Sequence, residues 1–133
     1  MPPMVLLLAL LLAGAPDVSG AYRIETTKGP LKVKKGETVS AHVEVVPRSD
    51  AHVSPEAPIS LTVTSGPGLK IAKAKLGRPE AKETRQKGVE FDVPFTAEAS
   101  GKDELRASLS FFICTEKLCE KQKRELALQV EVE

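Results

Sequence analysis

Two cysteines, Cys114 and Cys119, are the residues of this sequence best suited to chemistry. They are the only cysteines in the chain, and four residues separate them. Two thiols at this spacing could form a structural disulfide, exchange a disulfide with another protein, or bind a metal as thiolates. Which of these three uses applies depends on how the flanking segments position the two cysteines.

The cysteines lie between two segments that alternate apolar and polar residues, the period expected of half-buried strands. The apolar positions are Leu105, Ala107, Leu109, Phe111 and Ile113 before the pair, and Leu126, Leu128, Val130 and Val132 after it. Two such strands joined by a short polar segment predict an antiparallel hairpin. Its loop would bring the cysteines close enough to bond, at a Cα separation of roughly 4.4 to 6.8 Å.

A disulfide here would close a loop of only six residues and stabilise the fold by about 2 kcal/mol. A structural disulfide and an exchanging disulfide therefore both remain open. Alternation places Cys114 opposite Ile113, so we expect it to face solvent or a cap rather than the main core. Cys119 precedes the polar segment Glu120–Arg124, so we expect it to be more exposed and closer to positive charge.

A tetrahedral metal site formed by Cys114, Cys119, His42 and His52 is the third alternative. Both histidines lie far upstream of the cysteines. Without a metal, His42 is interpreted as a solvent-facing strand residue and His52 as a loop residue. We therefore expect no metal and no other cofactor. Hydrolytic catalysis has no support either, because the sequence contains neither a Gly-x-Ser-x-Gly nor a His-Glu-x-x-His motif.

The first residues have the pattern of an export signal. Val5 to Ala13 form an unbroken apolar run, and Ser19, Gly20 and Ala21 provide the small residues of a cleavage site. We expect residues 1–20 to be a cleaved signal peptide and the protein to be periplasmic or secreted. An oxidising compartment favours a disulfide over a zinc site for an even cysteine pair.

Residues 21–133 are enough for one domain with a modest core and too few for two. Removing residues 1–20 takes away Asp17 and leaves 19 basic and 17 acidic residues, so the net charge is +2. This balance gives no electrostatic case for binding nucleic acid. With no second apolar run of 18 residues, we expect no membrane span after cleavage. We expect a monomer.

Short alternating runs separated by Gly and Pro predict an all-β fold, an immunoglobulin-like antiparallel β-sandwich of seven to eight strands. We expect Tyr22–Thr26 to pair with Leu31–Val33 and the strand from Val39 to end at Pro47. Residues 48–58 and 77–88 are expected to be polar loops, with one helical turn possible after Pro79. Six apolar residues are expected to be buried: Val43, Leu61, Phe91, Leu109, Phe111 and Leu128.

The strand Phe111–Cys114, the segment Thr115–Cys119 and the strand Leu126–Val132 resemble the N-terminal periplasmic domain of the thiol:disulfide interchange protein DsbD. In that family, two cysteines between late strands accept electrons from a membrane-linked thioredoxin-like module and pass them to periplasmic partners. The resemblance implies that Cys119 would form the mixed disulfide and that Cys114 would resolve it. It also implies an exported or membrane-linked thioredoxin-like partner.

The resulting functional hypothesis is an exported thiol–disulfide exchange domain that uses Cys119 and Cys114. The alternative is a non-enzymatic structural or protein-binding immunoglobulin-like domain in which the same disulfide only holds the hairpin together.

Overall fold

The computed structural model describes residues 18–133, which form two β-sheets packed face to face as an immunoglobulin-like sandwich. The described residues contain no α-helix and only two short 3-10 turns, at Val18–Ala21 and Arg78–Glu80. The strands are β1 Tyr22–Thr26, β2 Leu31–Val33, β3 Thr38–Pro47, β4 His52–Val53, β5 Ser60–Ser65, β6 Leu69–Ile71, β7 Lys75–Leu76, β8 Lys82–Glu83, β9 Val89–Ala97, β10 Gly101–Cys114 and β11 Cys119–Val132. The predicted all-β fold is confirmed.

The predicted signal peptide concerns residues 1–20. Residues 1–17 lie outside the described residues, and the remainder belongs to the first 3-10 turn.

The first sheet has the strand order β1-β3-β9-β6, with the short β8 also paired to β9. The second sheet has the order β2-β11-β10-β5-β7, with the short β4 also paired to β10. All pairs are antiparallel except β2 and β11, which run parallel. Within residues 18–133, eight strands have three or more residues and three have only two, so the predicted count of seven to eight holds for the longer strands.

The predicted pairing of Tyr22–Thr26 with Leu31–Val33 is wrong. β1 pairs with β3 in the first sheet, whereas β2 pairs with β11 in the second. The segment between them, which contains the cis Gly29-Pro30 bond, crosses from one sheet to the other. β3 and β11 are both longer than β1 and β2. Each of the two short strands therefore pairs with a longer strand than it would if β1 and β2 paired with each other.

The two predicted polar loops contain short strands that alternation could not reveal. β4 lies within residues 48–58 and pairs with the end of β10. β8 lies within residues 77–88 and pairs with the start of β9. The helical turn expected near Pro79 is present as the 3-10 turn Arg78–Glu80. The strand beginning near Val39 ends at Pro47, as predicted.

The core lies between the sheets and follows the predicted alternation closely. Of the six expected core residues, five are buried: Val43, Leu61, Phe91, Leu109 and Phe111. Leu128 is the exception, because it packs against the core but is only partly buried. β2 covers β11 only at Val130–Val132, so Leu128 lies just beyond the part of β11 that has strands on both sides.

Candidate functional site

The two cysteines close the long hairpin formed by β10 and β11. These strands of 14 residues each pair from Gly101 and Val132 to Cys114 and Cys119. Cys114 and Cys119 are the last register pair, their Cα atoms are 4.0 Å apart, and their sulfurs are bonded. The turn beyond them is held by the Thr115 N–H, which donates to the Leu118 carbonyl at 2.8 Å. The predicted disulfide at the hairpin loop is confirmed, with a Cα separation slightly shorter than the expected range of roughly 4.4 to 6.8 Å.

The two halves of the disulfide differ in exposure. Cys114 is only 3% exposed, yet it is not part of the core cluster between the sheets. Cys119 is exposed, as expected. The sequence predicted that Cys114 faces either solvent or a covering segment. Exposure to solvent is wrong: Cys114 is covered by other residues, although it lies outside the main core. Exchange chemistry needs one sulfur that a partner can reach, and Cys119 is the more exposed residue of the pair.

β4 explains why Cys114 is covered. On the side of β10 opposite β11, His52 is the register partner of Cys114 and Val53 is the partner of Ile113. The Ser54 N–H donates to the Phe112 carbonyl at 2.9 Å, which extends this pairing. Cys114 therefore lies between two neighbouring strands, whereas Cys119 lies on β11, which has no second neighbour at this end among the described strands.

A shallow groove of about 250 Å³ lies beside the hairpin tip. Its lining combines small, polar and charged residues: Ser49, Asp50, Ala51, His52, Lys87, Thr115 and Glu116. Arg48 donates two hydrogen bonds to Asp50, at 2.6 and 2.9 Å. These bonds hold the pKa of Asp50 below its usual range, so the groove contains a carboxylate at neutral pH.

The sequence suggested His52 only as a possible metal ligand or a loop residue, and it did not predict a strand position for His52 beside Cys114. The structure places it directly beside Cys114 and in the lining of the groove. The only local signal was the apolar–polar–apolar order of Ala51, His52 and Val53, which is too short to distinguish a strand from a loop.

The four-ligand metal site considered from the sequence does not form. Both cysteines are consumed by their disulfide. His52 lies beside Cys114 in the second sheet, but His42 lies in β3 of the first sheet. The metal alternative for the cysteine pair is therefore wrong.

His42 instead belongs to a polar cluster on the outer face of the first sheet. Its ring nitrogens lie 3.2 Å from carboxylate oxygens of both Asp92 and Glu44. Partial burial lowers the pKa of His42, but its hydrogen bonds to Asp92 and Glu44 outweigh that effect and raise the pKa above its usual value.

No family model and no curated protein matches this chain, but solved structures share its fold. A chain from the complex of zinc 2-glycoprotein and prolactin inducible protein from human seminal plasma aligns with a TM-score of 0.52 and 16% identity, over 83% of this chain and 93% of that one. Trypsin-activated alpha-2-macroglobulin from Escherichia coli aligns with a TM-score of 0.51 and 11% identity, over 83% of this chain and 7% of that one.

Domains 4 and 5 of the S-layer protein SbsC align with a TM-score of 0.46 and 14% identity, and this chain spans half of their length. At 16% and 11% identity, the two alignments with TM-scores above 0.5 establish the β-sandwich fold alone. Neither short helical turn within residues 18–133 has the length or apolar character of a membrane-spanning helix.

Proposed function

We propose that this protein exchanges disulfides with another exported protein through Cys119 and Cys114. One observation supports the proposal most directly: the disulfide joins an exposed cysteine residue to a buried one at the tip of a hairpin. A purely structural bond has no need of this difference. An exchanging pair needs this difference, because one sulfur must be accessible to the partner while the other stays close enough to resolve the mixed disulfide.

The exchange reaction uses each cysteine once. In the reduced protein, the Cys119 thiolate attacks one sulfur of a partner disulfide, and the other partner sulfur leaves as a thiolate. The Cys114 thiolate then attacks the Cys119 sulfur of this mixed disulfide and releases the second partner thiolate. The cysteine pair loses two electrons and the partner gains two. The same steps in reverse reduce the pair.

The surroundings of Cys119 suit a thiolate only mildly. The exposed Lys121 lies two residues along β11, and the exposed Glu120 lies between them. Positive charge lowers the pKa of a nearby thiol and negative charge raises it. We therefore propose that access, more than activation, selects Cys119 as the attacking residue.

The apolar run Val5–Ala13 and the small residues before Tyr22 support export. The disulfide itself supports an oxidising destination, the periplasm or the exterior. The resemblance to the N-terminal domain of DsbD supports a thioredoxin-like partner, which would bring an exposed thiol of its own to the hairpin tip.

The competing proposal is a structural or protein-binding domain whose disulfide only fastens the hairpin. The burial of Cys114 favours it, because a covered sulfur is protected from reduction. The long hydrogen-bonded ladder of β10 and β11 disfavours it, because strands already paired over their whole length need little help from a six-residue loop.

A redox titration separates the two proposals. The purified protein would be equilibrated with glutathione buffers, and with dithiothreitol buffers for more negative potentials, and its free thiols counted by alkylation and mass spectrometry. An exchanging pair should have a potential near or above about −230 mV, whereas a structural disulfide should lie below about −300 mV. The second result would overturn the exchange proposal.

A further inference from the structure

The outer face of the first sheet carries a cluster of one imidazole and three carboxylates. His42 and Glu44 are two residues apart on β3, so their side chains share a face. In the register with β9, His42 is opposite Asp92 and Glu44 is opposite Glu90. Two neighbouring strands therefore bring four side chains with metal-binding groups to one place.

Three donor atoms of this cluster have the separations of ligands around one small cation. The His42 Nε2 atom lies 3.2 Å from Glu44 Oε1 and 3.7 Å from Glu90 Oε2, and one donor atom from each of the three residues lies within 4.8 Å of the others. Ligands about 2.1 Å from a tetrahedral zinc ion are about 3.4 Å from one another. The two measured nitrogen–oxygen distances fall on either side of that value.

The orientation of the imidazole also suits metal binding. The second ring nitrogen, Nδ1, lies 3.2 Å from Asp92 Oδ1, so a proton on Nδ1 is donated to that carboxylate. In that tautomer the Nε2 lone pair faces Glu44 and Glu90, and the hydrogen bond from Nε2 to Glu44 forms only when Nε2 carries a proton. A carboxylate that orients a histidine through its non-ligating nitrogen is a common feature of zinc sites.

The backbone around His42 is held firmly. The His42 N–H donates to Thr27 Oγ1 at 2.8 Å, and the Thr27 N–H donates to the His42 carbonyl at 3.1 Å. β1 and β9 lie on either side of β3. The imidazole therefore projects from a central strand, whose position does not depend on a flexible loop.

The charges of the cluster favour a cation. Glu44 and Glu90 are directly opposite each other on adjacent strands, an arrangement that costs free energy for like charges. Among the described residues, His42 is the one ion-pair partner of either carboxylate, while Asp92 also has Lys82 at 3.7 Å. A protonated imidazole carries one positive charge, whereas a divalent ion carries two. The divalent ion therefore neutralises more of the carboxylate charge.

We propose that His42, Glu44 and Glu90 form a binding site for a divalent transition-metal ion of the zinc type. Asp92 is the positioning residue that orients the imidazole. One nitrogen and two oxygen ligands suit zinc better than magnesium or calcium, which prefer oxygen ligands alone. Three protein ligands leave a fourth position for water or for a group from a partner. This site is separate from the disulfide and does not depend on the exchange proposal.

Zinc titration of the oxidised protein tests the site, with calorimetry for stoichiometry and proton NMR of the imidazole rings for location. The chain contains only two histidines, His42 and His52, so each ring can be assigned with one variant. We expect one Zn²⁺ per chain, a shift of the His42 ring signals, and no effect of Mg²⁺ at the same concentration.

Variants then identify the ligands. His42→Gln, Glu44→Gln and Glu90→Gln should each weaken Zn²⁺ binding at least tenfold, and Asp92→Asn should weaken it by about 10- to 100-fold. His52→Gln is the matched control and should leave the affinity unchanged. Circular dichroism would establish that each variant is folded. The proposal is overturned if Zn²⁺ does not bind at millimolar concentration, if it shifts only the His52 ring, or if folded His42→Gln and Glu90→Gln proteins bind it as well as the wild type.

Discussion

The ring of Tyr22 on β1 meets the ring of Phe111 on β10 edge to face, with centroids 4.9 Å apart and planes at 84°. This contact joins the two sheets. The Tyr22 hydroxyl donates to Gln122 Oε1 at 2.8 Å and accepts from Arg124 Nε at 2.7 Å. Gln122 is the register partner of Phe111 on β11, so three strands meet here, close to the disulfide end of the hairpin.

Replacing Phe111 with Ala should lower the free energy of unfolding by about 3 to 5 kcal/mol, because the ring is fully buried and its removal leaves a cavity. Urea denaturation followed by circular dichroism measures the loss. Phe112→Ala is the matched control, since Phe112 is only partly buried on the other face, and it should cost less. A loss below about 1 kcal/mol for Phe111→Ala would contradict its place in the core.

Replacing Gly88 with Ala should destabilise the protein by about 1 to 3 kcal/mol, because the site has no room for a side chain. A Cβ there would collide with the Val45 carbonyl oxygen and lie 2.8 Å from Pro47 Cδ. Gly77→Ala is the control, since its Cβ would have no neighbour closer than 3.8 Å. Thermal or urea unfolding measures both variants, and equal stability of the two would show that the segment before β9 relaxes freely.

Glu80 should make stability depend on pH in the acid range. Lys73 donates to Glu80 Oε1, and the Gly77 N–H donates to Oε2 at 2.7 Å, so the pKa of Glu80 is lowered in the folded state. A lowered folded pKa means that the stabilisation is present above the unfolded value of about 4.3 and is lost as the pH falls through the folded value.

The measurement compares wild type with Glu80→Gln by urea unfolding at several pH values. The stability difference should be largest near neutral pH and should shrink as the pH falls below about 4.3. Glu98→Gln is the control, because Glu98 is an exposed residue directly after β9. A difference that does not change with pH would contradict the assigned role of the Glu80 carboxylate.

The two cysteines should trap a partner unequally. In Cys114→Ser, the exposed Cys119 thiol should form a mixed disulfide readily with glutathione disulfide or with an oxidised partner. In Cys119→Ser, the remaining Cys114 is covered by β4 and should trap far less. Mass spectrometry under non-reducing conditions measures the extent of trapping.

Both single variants should remain folded, because the loop contributes only about 2 kcal/mol, and the variant lacking both cysteines gives the background for trapping. Equal trapping by the two single variants would remove the assignment of roles. Unfolding of both variants would instead favour a structural disulfide.

Much of this fold was determined by local sequence patterns. Alternation with a period of two placed Val43, Leu61, Phe91, Leu109 and Phe111 in the core, because a strand that buries one face must repeat its apolar residues at every second position. The same pattern on both sides of the cysteines predicted their hairpin, whose loop brings the two cysteines close enough to bond. Each of these conclusions needs only residues that are close together in the chain.

The tertiary structure decided which strands became neighbours. Alternation shows that Leu31–Val33 is a strand but not that it lies parallel to β11 instead of pairing with β1, because backbone hydrogen bonds to a distant strand leave no mark on side-chain order. A two-residue strand such as β4 is too short to have a period at all. Only the folded chain places His52 beside Cys114 and His42 opposite Asp92, and both candidate sites depend on those distant contacts.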